Sequence, residues 1–264
     1  MASTKLCCIC LKEYVPEEGD MILLESLRND KPDWYNFYFP GVSVKAHLKC
    51  RVKCAKYKVG GLADRWIKAG EPIISGGNKT ALKAIKDITS QVSQHLNPSG
   101  IYLYGKPGVG KTHLLALLAK SLIETGYPIS WSNVPEVLTK IKNSFGKNYS
   151  YDEEETIPQA IHRKLVGSKF LFLDDLGAES TTDWVKETLY EVVNNRYENN
   201  LPIFISSNNT PVDLCKVIGN RFASRIIEVC PPIKVEGEDM RLKPEIQAKN
   251  SEIIIPPYCL HLSR

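Results

Sequence analysis

The octet GKPGVGKT at residues 105–112 constrains this chain more than any other stretch. A short apolar run, residues 101–104, precedes it, and an amphipathic run from His113 to Glu124 follows. Strand, glycine-rich turn and helix in that order are the setting in which such a pattern holds a phosphate chain. Gly105, Gly108 and Gly110 let the backbone fold back, so that N–H groups of a turn also containing Lys106, Pro107 and Val109 point inward. The helix that follows adds the positive end of its dipole. Lys111 is expected to reach the β- and γ-phosphates of a nucleoside triphosphate, and the Thr112 hydroxyl to hold Mg²⁺.

At 264 residues the chain has room for one ordinary α/β domain and something small. No apolar run approaches the ~20 residues of a membrane span, and residues 1–10 lack a basic-then-apolar leader, so a cytoplasmic protein is expected. A net charge of +4 assigns no partner by itself. Between Lys45 and Lys58, however, there are basic residues and no acid, which suits a solvated face or contact with nucleic acid or an acidic partner.

Residues 1–60 differ from the rest. Cys7 and Cys10 form a C-x-x-C pair and His47 and Cys50 an H-x-x-C pair, with Cys54 one helical turn beyond. Two such pairs joined by a loop can bring four ligands to a tetrahedral Zn²⁺, and a segment this small needs a staple to fold alone. Cys7, Cys10, His47 and Cys50 are the expected ligands, Cys54 is the substitute for His47, and Cys8 is a bystander. Glycines at 60–61, 70 and 76–77 mark residues 61–79 as a linker.

Beyond it, apolar positions recur at helical spacing over residues 80–96, and helices are predicted over 134–145, 156–166 and 183–200. Strands are predicted at 101–104, 129–132, 169–173, 203–207 and 226–229, which makes an α/β domain with a parallel sheet between helical layers. The third strand ends in Asp174-Asp175. Asp174 is expected to share Mg²⁺ with Thr112, and Asp175 to orient the attacking water. The strand at 129–132 is expected to separate the P-loop strand from this acid strand in the sheet. Asn208, past the fourth strand, suits the γ-phosphate or the lytic water, or simply a turn. Arg221 and Arg225 stand at i, i+4 on one helical face, suited to a surface ion pair or to reaching a neighbouring subunit's phosphate.

Together these stretches resemble the AAA+ ATPases of the bacterial helicase-loader group, the DnaC/DnaI type, and their relative, the IstB transposition ATPase. The resemblance spans residues 78–243 and rests on GKPGVGKTHLLALLA, with His113 directly after the threonine, and on FLFLDDLGAE, ISSNNTPVDL and GNRFASRI. It implies a three-layer αβα AAA+ domain with a five-stranded parallel sheet over residues 80–243, behind a zinc-binding module at 1–60 and followed by a tail at 244–264. It also implies Walker A at 105–112, Walker B at Asp174, sensor 1 at Asn208, an arginine finger at Arg225 with Arg221 its companion, and sensor 2 at Arg241. Asp175 stands where most AAA+ enzymes carry Glu, so its role could be shared with Glu179. The implied activity is a DNA-stimulated ATPase, binding ATP and Mg²⁺ between subunits of an oligomer, that loads a hexameric replicative helicase onto single-stranded DNA. Lys140, Lys142, Phe145 and Lys147 are the expected DNA contacts. Two alternatives stay open: a transposition helper that binds duplex DNA, and an adaptor that binds nucleotide without hydrolysing it.

Overall fold

The structure, a computed structural model, describes residues 5–6, 13–14, 57, 60–144, 157–178 and 183–242. The chain divides into two compact units, Gly60–Ile246 and Met1–Val59 with Gln247–Arg264. In the second of these, strand β1 (Lys5–Leu6) pairs antiparallel with β2 (Glu13–Tyr14), and the two bracket Cys7 and Cys10 in sequence. The expected zinc ligands Cys7, Cys10, His47, Cys50 and Cys54 lie outside the described residues, as do Phe145, Lys147, Glu179 and the tail. Among the described residues no group of His, Cys, Asp and Glu could hold a metal ion. No described helix is long and apolar enough to cross a membrane.

The larger unit is a five-stranded parallel sheet between helices. Its strands are β3 (Ile101–Tyr104), β4 (Ile129–Asn133), β5 (Phe170–Asp174), β6 (Ile203–Ser207) and β7 (Pro232–Lys234), in the order β4-β5-β6-β3-β7. β5 and β6 are buried along their whole length, which is why they read as unbroken apolar runs. The helices are α1 (Asp64–Lys68), α2 (Lys79–Ser93), α3 (Lys111–Glu124), α4 (Val134–Ser144), α5 (Ile157–Gly167), α6 (Asp183–Glu198), α7 (Pro211–Ile218) and α8 (Asn220–Val229). One sheet face, with Tyr102, Leu171, Leu173, Ile203 and Ile205, is covered by α4 to α8. α3 covers the other face, with α2 against it through Ala81, Ile85, Ile88 and Val92.

Three expectations are corrected. The strand that separates β3 from β5 is β6; β4 lies at the edge of the sheet. Residues 226–229 close α8: Phe222, Ala223 and Ile226 are buried at helical spacing, and the Cys230 N–H bonds to Ile226 O at 2.8 Å. The fifth strand is β7, paired with β3 from Tyr102↔Pro232 onward. Residues 61–79 do not form a bare linker. They carry α1 and belong to the Gly60–Ile246 unit, tied by Trp131 N–H to Gly60 O (2.7 Å) and Lys120 Nζ to Ala69 O (2.5 Å).

At the base of the sheet, away from the P-loop, Arg196 of α6 is fully buried. Its guanidinium donates to the carbonyls of Leu165, Val166, Ser168, Lys169 and Pro202 at 2.7–3.3 Å, which fixes the entries to β5 and β6.

Candidate nucleotide-binding site

Parallel register brings the strand ends level. Asn133 pairs with Asp174 across β4 and β5, and Tyr104 with Ser207 across β3 and β6. The polar residues just past those ends therefore collect along one edge of the sheet, where α/β folds place ligands.

Gly105, Lys106, Pro107, Gly108, Val109 and Gly110 make the turn from β3 into α3, with Val109 buried beneath it. Gly110 is the N-cap of α3 at φ 96°, a left-handed conformation open to glycine, and no side chain caps the helix. The uncapped first turn of α3 is thus a ready anion seat. Gly108, at φ 78°, has no room for a Cβ because the Asp239 carboxylate lies against it, and Met240 N–H donates to its carbonyl at 3.0 Å.

Lys111 is 5% exposed, and its ammonium donates to Gly105 O (2.9 Å), Lys106 O (2.8 Å) and Asn208 Oδ1 (2.8 Å). The structure thus joins the P-loop lysine to the residue expected at sensor 1. Burial pushes the Lys111 pKa down; the Asp175 and Asp174 carboxylates oppose that shift, while Arg241 adds to it. Arg241 lies on a 3-10 turn (Met240–Leu242), near enough for its charge to act on Lys111.

Asp174 is 2% exposed. Burial raises its pKa and Asp175 reinforces the rise, against the hydrogen bond from the Ser206 hydroxyl, the nearby Thr112 hydroxyl and the positive charge of Arg65. Thr112, expected to share Mg²⁺ with Asp174, stands near that carboxylate, close enough to oppose the rise. A hydroxyl and a buried carboxylate beside an uncapped helix N-terminus are the oxygen donors that suit Mg²⁺ next to phosphates. Asp175 turns the other way, at φ 59°, and Asn133 Nδ2 donates to its Oδ2 at 3.4 Å.

Other expected residues stand elsewhere. His113 leaves the phosphate turn: its Nε2 donates to Gly70 O at 2.7 Å and its ring lies 5.9 Å from that of Trp66, fastening the segment before α2 to α3. Arg221 and Arg225 are on α8, which covers the sheet face opposite α3. Arg221 stacks on Tyr190 (4.9 Å), and Arg225 on Tyr197 (4.8 Å) and Tyr190 (5.8 Å). They are not brought to Lys111 of their own chain. Lys140 and Lys142 lie on α4 and are exposed. Sequence reasoning missed Asn133, Ser206 and Asp239. The first two were visible only as polar residues within strands, and Asp239 carries no local signal of its contact with Gly108.

Residues 70–228 match the family model of the bacterial DnaA ATPase domain. The chain belongs to that family. Among relatives of this DnaA-type AAA+ domain, the replicative helicase loader DnaI of Bacillus subtilis (strain 168) is 33% identical over 170 residues, 60% of this chain and 52% of that protein. The crystal structure of DnaI matches with a TM-score of 0.52 at 25% identity, over 64% of this chain and 86% of that one. The crystal structure of the DnaC helicase loader shares the fold, with a TM-score of 0.55 at 23% identity, over 66% of this chain and 100% of that one. The chain spans about half the length of the curated relatives it matches (52% and 56%). The motifs alone pointed to the loader group; the family is that of the DnaA ATPase domain, and the loaders enter as its relatives.

Proposed function

We propose that this protein is an ATP-dependent loader that places a hexameric replicative helicase on single-stranded DNA, hydrolysing ATP between subunits of an oligomer. The observation that carries the reading is the contact of Lys111 with Asn208 at 2.8 Å, at the same strand ends as the buried Asp174 carboxylate. Its place in a chain 33% identical to a replicative helicase loader supports the choice of client.

The turn from Gly105 to Gly110 and the N-terminus of α3 would bind the phosphates, and Lys111 would neutralise their charge. Thr112 and Asp174 would hold Mg²⁺, which screens the charge between attacking water and phosphate. Asp175 would orient and activate that water, alone or with Glu179, and Asn133 would hold the Asp175 carboxylate in line. Asn208 would pass from Lys111 to the γ-phosphate or the water. Arg225, with Arg221 beside it, would serve the site of the neighbouring subunit, and Arg241 its own. Catalysis of this kind is positioning and charge neutralisation. Lys140 and Lys142, with Phe145 and Lys147, would line the DNA path.

Residues 1–60 would be a zinc-stapled module that grips the client, with Cys7, Cys10, His47 and Cys50 as ligands and Cys54 in reserve. About one zinc per chain is expected, lost with Cys10→Ser while nucleotide binding stays.

The test is affinity capture from cells together with phosphate release. Recovery of a hexameric helicase, and turnover stimulated by single-stranded DNA that vanishes in Lys111→Ala, support the loader. Recovery of a transposase in its place would reassign the protein as a transposition helper. Nucleotide binding without phosphate release would make it a non-hydrolysing adaptor.

A further inference from the structure

Ser206 is fully buried on β6, one strand away from the two acids that close β5. Its Oγ donates to Asp174 Oδ1 at 2.5 Å and accepts the N–H of Asp175 at 3.1 Å. Its backbone carbonyl accepts the next amide, Leu176 N–H, at 2.9 Å. One residue therefore takes the side chain of the first acid and the main chain of the two residues after it. Between those contacts the backbone turns through φ 59° at Asp175, a left-handed conformation uncommon outside glycine. On either side of that turn, Asp174 is held by Ser206 near Thr112 and Asp175 meets Asn133.

The neighbouring serine supplies a contrast. Ser207 is equally buried, yet its hydroxyl donates to the carbonyl of Leu176 (2.6 Å) and accepts Asn209 N–H (3.1 Å). It secures a loop and touches neither carboxylate. A buried serine whose task is only to satisfy backbone groups looks like Ser207. Ser206 instead spends its single proton on a charged oxygen, the stronger kind of hydrogen bond.

We propose that Ser206 is a positioning residue for the Mg²⁺ site: its hydroxyl fixes the plane of the Asp174 carboxylate and holds the bend that separates the two acids. With Oδ1 committed, the carboxylate cannot rotate freely, so the face it presents to Thr112 is set before metal and nucleotide arrive. Partners of this kind behind a metal ligand alter metal affinity by about 10–100-fold when removed. The assignment rests on the reading of Thr112 and Asp174 as the Mg²⁺ pair.

The experiment is a Mg²⁺ titration of fluorescent ATP-analogue binding to the full-length protein, with a parallel series in EDTA and a thermal melt of each variant. Ser206→Ala should need about tenfold more Mg²⁺ for half-maximal tightening, while its affinity in EDTA stays at the wild-type value. Ser206→Thr, which restores the hydroxyl, should return the half-point to within about threefold of wild type. Ser207→Ala should melt lower with its Mg²⁺ half-point unmoved. If Ser206→Ala does not fold, Ser206→Cys, of similar size and with a weak donor, is expected to shift the half-point in the same direction. An unmoved half-point in Ser206→Ala, or an equal shift in Ser207→Ala, would overturn the positioning role while leaving the metal pair intact. An unmoved half-point in Asp174→Ala would instead strike down the metal pair, and the role of Ser206 with it.

Discussion

Replacing Lys111 with Met keeps the aliphatic stem and removes the ammonium, so it separates two tasks that the structure gives to one side chain. In the free protein the ammonium is nearly buried and bonded to Gly105 O, Lys106 O and Asn208 Oδ1. Facing two phosphate groups, each about 4 Å away at an effective dielectric near 20, it would gain about 8 kcal/mol in gross attraction. Releasing two of its three present acceptors would return about 3–6 kcal/mol of that gain. The balance is about 3 kcal/mol, so Lys111→Met should weaken ATP binding roughly a hundredfold. In the absence of nucleotide the same change leaves three oxygens without their donor. Asn208 is exposed, so water can replace part of the loss. A cost of about 1 kcal/mol, or about 2–4 °C in melting temperature, is expected for a domain of this size. Anisotropy of a labelled ATP and a thermal melt measure the two effects. A large drop in melting temperature with an affinity change below about threefold would refute the reasoning. Lys111 would then be a clamp for Asn208 rather than a phosphate ligand.

Arg225→Ala should bind ATP and hydrolyse it poorly, and mixing it with Asp175→Asn subunits should restore part of the turnover in a phosphate-release assay; no rescue would argue against a site shared between subunits. Arg196→Met should destabilise the fold by about 3–5 kcal/mol, because five carbonyls, those of Leu165 and Pro202 buried and the rest partly so, lose their donor at once. A melting temperature within a few degrees of wild type would contradict that. Asp239→Asn should tighten ATP binding by about three- to tenfold, since the carboxylate lies against Gly108 where phosphate charge would gather. Unchanged affinity in a labelled-ATP titration would show that Asp239 moves aside at no electrostatic cost.

What could be read from the chain without coordinates was whatever is local. The P-loop, the apolar run of β5 and the two acids after it carry their own signals, because a strand buried on both faces must be apolar and a phosphate turn must be glycine-rich. Errors came where neighbouring signals conflict. Residues 226–229 are apolar enough for a strand, yet Phe222, Ala223 and Ile226 already set a helical stripe that runs through them. Glycines at 60–61 and 70 looked like breaks, while the backbone there is held by Trp131, Lys120 and His113 from elements far along the chain. Arg196 sits in a helix whose Glu187, Glu191 and Glu198 are exposed, and nothing nearby in sequence announces that the loops of two strands converge on it.

The order of strands was the least legible feature, and it is the one on which the site depends. β4 follows β3 in the chain, but β6 sits between β3 and β5. That insertion is what places Asn208 next to Lys111 and Ser206 next to Asp174, because only a strand between β3 and β5 pairs with both. Because side chains alternate across a strand, a slip of one residue in β6 would exchange Ser206 for Ser207. The hydroxyl facing Asp174 would then face Tyr102 and the α6–α8 layer. The packing of Ile203 and Ile205 on one face and Phe204 against Phe172 on the other forbids that slip. The apolar core therefore fixes the register, and through it which serine meets the acid and which asparagine meets the lysine.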